Sequence, residues 1–185
     1  MRDERFIQLL TAALKERTEW DECPELYFVT DCHGELELLS FELGEVFWTL
    51  VDPPEVVSRL ANGLLNYNTL PDDKPPAPPV PAGLAGVAFR FEAWGILLDP
   101  ADFGTEKAER LRRASAEHEI HLQPERVEQR QMMACSTSGE LYWVRQNRSE
   151  STVEAEDLDP QGRVPQSLAE MVMALKTLAQ TQQSG

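Results

Sequence analysis

A chain of 185 residues with 42% hydrophobic content is long enough for one domain with a sizeable core, and it needs neither disulfides nor a metal in order to fold. Its 32 acidic and 17 basic side chains leave a net charge of −15, which argues against nucleic-acid binding by phosphate neutralisation and against attraction to anionic membranes, and favours basic partners. The charged opening lacks the apolar run of an export signal, and no stretch approaches the ~20 apolar residues of a membrane span. Cys23, Cys32 and Cys135 form no CxxC and read as reduced thiols of a cytoplasmic protein. Arginine outnumbers lysine thirteen to four and isoleucine occurs three times, a bias of GC-rich bacterial or phage genomes.

Phe6, Leu9, Leu10, Ala13 and Leu14 recur at helical spacing and predict an amphipathic helix over 4–18. A polar break at 21–25 follows, then strands over 26–30 and 35–41 joined by a turn at Cys32-His33-Gly34. The apolar run 46–51 is read as a third strand. Asp52-Pro53-Pro54-Glu55 opens a second helix, with Asp52 as cap and Val56, Val57, Leu60, Ala61, Leu64 and Leu65 as its apolar face.

Residues 69–82 hold six prolines, which exclude regular helix or central strand and read as a long internal connection. Beyond it, Val87, Phe89 and Phe91 alternate with Ala88, Arg90 and Glu92, a strand with one buried face. Thr105 caps a surface helix with a thin stripe of Ala108, Leu111 and Ala114. Strands over 126–135 and 140–148 form a hairpin around Ser136–Gly139. The sequence divides into an α+β domain at 1–148, an acidic mobile segment at 149–166 and a C-terminal helix at 167–181. That helix opens on the capping box Ser167-Leu-Ala-Glu170.

No GxGxxG, P-loop, HExxH or GxSxG motif is present. His118 and His121 have the spacing of helical metal ligands, but Pro124 ends the helix nearby and a third ligand is missing, so no metal and no cofactor is assigned. Alternation places Arg126, Glu128 and Arg130 on one strand face, with Arg145, Arg90 and Glu92 as neighbours on adjoining strands. Such guanidiniums can grip a carboxylate or phosphate, or form a cross-strand ladder of ion pairs. Residues 16–45 hold ten acids and one base, a net of −9, whereas 107–148 has a net of +2. Glu19, Asp21, Glu22 and Glu25 lie in the acidic stretch, are expected to be solvated, and are the candidate contacts for a basic partner.

The fold class expected is α+β: a mostly antiparallel sheet of five or six strands, with an N-terminal, a central and a C-terminal amphipathic helix covering one face. The opening α-β-β-β-α order, with its acidity and size, resembles bacterial secretion chaperones over about the first 67 residues, and no site residue is carried over from them. The function expected is that of a non-enzymatic acidic interaction module, whether adaptor, chaperone-like or inhibitory, acting on another protein. No direct nucleic acid or membrane contact is expected, and the oligomeric state, a homodimer included, is left open. The alternatives are a small-ligand binder or enzyme using the arginine-bearing face, and an inhibitor that mimics nucleic acid.

Overall fold

A computed structural model describes residues 3–71, 76, 78–96, 100–117, 119–156, 160 and 162–183. Among the described residues there are five α-helices, α1 (Glu4–Glu16), α2 (Val46–Leu50), α3 (Pro53–Leu65), α4 (Glu106–Ala116) and α5 (Arg163–Gln183), and one antiparallel sheet. Its strands are β1 (Glu25–Cys32), β2 (Glu35–Ser40), β3 (Leu84–Ile96), β4 (Arg126–Ser136), β5 (Leu141–Asn147) and β6 (Val153–Ala155). They lie in the order β2-β1-β3-β4-β5-β6, so the fold is α+β as the hydrophobic patterning predicts.

Local chemistry fixes the ends of these elements. The Asp3 carboxylate accepts the Arg5 backbone N–H at 3.1 Å and caps α1. His33 (φ 58°) and Gly34 (φ 93°) form the tight turn between β1 and β2, in which Asp31 Oδ1 accepts the Gly34 N–H at 2.8 Å. Prolines occupy the first positions of α3, where their missing N–H groups have no helical acceptor to satisfy; the Asp52 side chain, expected to cap this helix, makes no such bond. Gly86 allows β3 to approach β4 closely, since a Cβ there would stand 2.4 Å from the Cys135 carbonyl oxygen.

Both sheet faces are covered, not one. Leu26, Val87, Phe89, Phe91, Met133 and Cys135 face α3 and α5, which contribute Val57, Ala61 and Leu64 and Leu168, Met171, Val172, Leu175 and Leu178. On the opposite face Val29, Ala88, Met132, Ala134, Tyr142 and Val144 meet Phe6, Leu10 and Leu14 of α1. The register stacks Ala88, Ala134 and Tyr142 across three strands on that side, and Phe89, Met133 and Trp143 on the other. β3 is therefore buried on both faces along its middle, in place of the single buried face that its alternation suggests.

Three other expectations are corrected. The run at 46–51 forms the short helix α2, because the sheet position beside β1 is taken by β3; Trp48 turns inward and stacks on Phe89 at 5.8 Å. The opening order is therefore α-β-β-α-α, which departs from the arrangement that resembled secretion chaperones. The acidic segment at 149–166 contributes β6, and α5 begins at Arg163, ahead of Ser167, whose side chain is buried within the helix. Of the proline-rich connection, residues 72–75 and 77 lie outside the described residues. Val80 packs on the larger core, and the Pro78 carbonyl accepts from Gln182 Nε2 at 3.3 Å.

Candidate functional site

Two regions of the surface carry chemistry. The first is the charged half of the face that α1 covers. α1 ends at Glu16, short of the full strand length, and residues 17–25 run on across the ends of β3 and β4. They lay Trp20 over the Arg130 guanidinium, 4.6 Å from the ring centroid, with Arg148 at 5.4 Å from the same ring. Arg130 donates to the Arg17 carbonyl at 2.7 Å and to Glu92 Oε1 at 3.4 Å. Arg90 donates to Glu22 at 2.7 Å and to the Cys23 carbonyl and Glu25, each at 3.1 Å. Arg148 bridges Glu128 at 2.7 Å and Asp21 at 3.2 Å. Asp21, held at φ 65°, donates its backbone N–H to the Glu92 carboxylate at 2.9 Å.

The arginines of the sheet thus meet acids of the preceding loop. The Arg130 and Arg90 side chains are 1% and 4% exposed, a burial that charged groups tolerate only when paired. Burial pushes the Glu25 carboxyl up, but the Tyr27 hydroxyl and the Arg90 and Arg17 guanidiniums outweigh it and hold the carboxyl below its ordinary value.

The structure separates the sequence-derived candidates. Arg90, Glu92 and Arg130 come together, whereas Arg126 lies further along β4, over the Trp94 ring at 5.1 Å. Arg145 points to the opposite face, where it pairs with Glu154 at 3.3 Å and Glu156 at 2.5 Å. Glu19 is exposed; Asp21 is exposed but paired; Glu22 and Glu25 are half-buried against Arg90, in contrast to the solvated acids expected there. Trp20, which organises the cluster, carries no signal in the sequence, where it falls between the expected helix and the polar break.

Among the described residues, the carboxylates of Asp21, Glu92 and Glu128 bring one oxygen each within 4.8 Å of one another. Arg130 and Arg148 already supply the positive charge this trio demands. His118 lies outside the described residues, and His121 sits on the 3-10 turn Ile120–Leu122. Burial raises the Cys135 thiol to about 11, which removes it as a nucleophile near neutrality; Cys23 and Cys32 are exposed.

The second region is an apolar cleft of about 460 Å³ between α2, α3 and the proline-rich connection. Phe41, Phe47, Leu50, Val51, Val56, Leu60, Gly63, Leu64 and Pro78 line it, with Arg59 as its charged residue. Arg59 is held by Glu55 at 3.0 Å, and Glu55 also accepts from Arg163 at 2.8 Å. The cleft opens among side chains that a closed core would cover: Leu50 is 75% exposed, Val46 57% and Phe47 50%. Leu60, expected in the core, is only partly buried because it forms part of this wall.

A smaller hollow of about 260 Å³ adjoins the cleft, sharing Phe41, and is lined by Glu25, Glu42 and Glu45 together with Cys23, Pro24, Leu26, Ser40, Leu43 and Trp48. Its charged lining is entirely acidic.

No protein-family model matches the chain, no curated protein matches it, and no solved structure matches its fold. Among the described residues no helix is long and apolar enough to cross a membrane.

Proposed function

We propose that this chain is a non-enzymatic protein–protein interaction module, with adaptor, chaperone-like and inhibitory roles all within that class, and that its working surface is the α2–α3 cleft. The observation that carries this reading is the exposure of Phe47 and Leu50 on the lining of a formed apolar cleft, with Val46 exposed on the same short helix. Apolar surface concentrated in one place, rather than scattered singly, marks contact with other molecules. Enzymatic or ligand-binding use of the arginine face has weaker support, since the guanidiniums of Arg90, Arg130 and Arg145 are each committed to acids of the same chain. The acidic balance and free thiols support a cytosolic setting, and the arginine-rich composition a bacterial or phage source.

The test is site-specific photo-crosslinking in the cells that make the protein. A benzophenone amino acid at Leu50 is expected to give a discrete protein adduct, and the same group at Leu122, exposed on the 3-10 turn, to give none. Absence of an adduct from Leu50, or an identical ladder from both positions, overturns the reading.

A further inference from the structure

We infer that the cleft receives an amphipathic helix that carries a bulky apolar anchor and a flanking lysine or arginine, an inference that rests on the interaction reading above. Two features of the surface specify this chemistry.

The first is Gly63. It lies within α3, where glycine is a poor helix former, and a Cβ built on it meets nothing within 4 Å. Among the described residues, the glycine therefore leaves open space along this wall of the cleft. Phe41, Phe47, Leu50, Leu60 and Pro78 stand around the same cleft, so the space that Gly63 leaves open is a notch with apolar walls. A notch between two helices accepts the side-chain row of a third helix, in the manner of helix-in-groove recognition.

The second is charge. From residue 35 to residue 58 the chain holds Glu35, Glu37, Glu42, Glu45, Asp52 and Glu55 and no lysine or arginine. Glu42 and Glu45 line the hollow next to the cleft, with Phe41 as the shared wall, and both are exposed. An anchor seated over Gly63 therefore has a negatively charged receptacle one wall away, which a basic side chain of the same segment completes. The same acids repel a fatty carboxylate or a nucleic acid, and a second copy of this face brings like charges against its own.

The test uses the full chain and a fluorescent synthetic helix of leucine and lysine, with a leucine–glutamate helix of the same apolar pattern as comparison; anisotropy reads binding. The lysine helix is expected to bind, the glutamate helix to bind at least about tenfold more weakly, and binding to weaken as salt screens the charges. Gly63→Leu fills the notch and is expected to lower affinity about tenfold, whereas Gly63→Ala, which keeps most of the space, leaves it within about threefold. Glu42→Gln with Glu45→Gln is expected to weaken the lysine helix alone. Circular dichroism confirms that each variant is folded.

Equal binding of the two helices, or affinity indifferent to Gly63→Leu, overturns the inference, as does a second copy of the chain occupying the cleft by light scattering. If Leu50 yields a protein adduct in cells while the lysine helix fails to bind, the partner's chemistry is wrong and the interaction reading stands. If neither occurs, both fall.

Discussion

The Trp20-covered arginine cluster and the α2–α3 cleft are both places where a sequence would put a function, and they are built in opposite ways. In the cluster, acids of 17–25 and Glu92 pair with guanidiniums of β3 and β4 under an aromatic cover, although Arg90 Nε and Arg130 Nη2 have no hydrogen-bond partner among the described residues. In the cleft, apolar side chains gather without closing; Glu42 and Glu45 of the adjoining hollow are exposed, while its third acid, Glu25, is held by the arginine cluster. Charge that a protein has neutralised internally holds the chain together. Apolar surface and charge left unmatched are available to something else. On the proposed reading, the first region stabilises the fold and the second is the surface offered to a partner.

The most direct way to break that division is Arg130→Ala. It leaves Glu92 Oε1 and the Arg17 carbonyl without their donor and removes the group under Trp20, so a loss of about 3–5 kcal/mol is expected from urea denaturation. A loss below about 1 kcal/mol would make the cluster an ordinary surface ladder. Trp20→Ala removes two cation–π contacts and is expected to cost about 1–3 kcal/mol, and to expose the Arg17 bond to trypsin. Unchanged stability and trypsin resistance would show that the loop is held by its ion pairs alone.

Glu25 sharpens the comparison through pH. Its carboxyl is depressed in the folded protein, so its contribution is fully present above the unfolded value and is lost as pH falls through the folded one. Wild type should exceed Glu25→Gln in stability near neutrality, and the gap should close as pH falls below the ordinary value of 4.5. A gap that persists in acid would locate the effect in packing. The cleft should behave otherwise. Gly63→Ala is expected to raise stability by about 0.5–1 kcal/mol, and Leu50→Ser to leave it within about 0.5 kcal/mol, both by chemical denaturation. A Leu50→Ser variant that melts early would mean that α2 belongs to the core after all.

The elements were legible wherever periodicity was long. The stripe from Phe6 to Leu14 gives α1, and Leu168, Met171, Val172, Leu175 and Leu178 give α5. The run 46–51 was not legible, because five apolar residues and one threonine fit a strand or a buried helical turn equally well. β6 was hidden for a different reason: Val153–Ala155 lies in an acidic stretch, and its support is distant in sequence, from pairing with β5 and from Val153 packing on the α1 core.

For the sites, alternation along β3 and β4 placed Arg90, Glu92 and Arg130 on one face correctly. It did not reveal their burial, since their cover comes from a loop in which Trp20 is a single residue among acids. The cleft was less legible still. Phe47 and Leu50 fall in a run read as a strand and Leu60 on the apolar face of a helix, and only the placement of α2 against α3 shows that they line an opening.

The central position of β3 has a consequence for the order in which the molecule is made. β1 pairs with β3, so Phe28 waits for Val87, and the β1–β2 hairpin leaves the ribosome long before its neighbour exists. The larger core waits longer, because α5 supplies its final layer over Phe89 and Met133. Folding is therefore governed by pairings distant in sequence, which are slow to close. A nascent chain stopped before α5 displays an apolar sheet face, and synthesis is the stage at which this protein most needs to be kept from its neighbours.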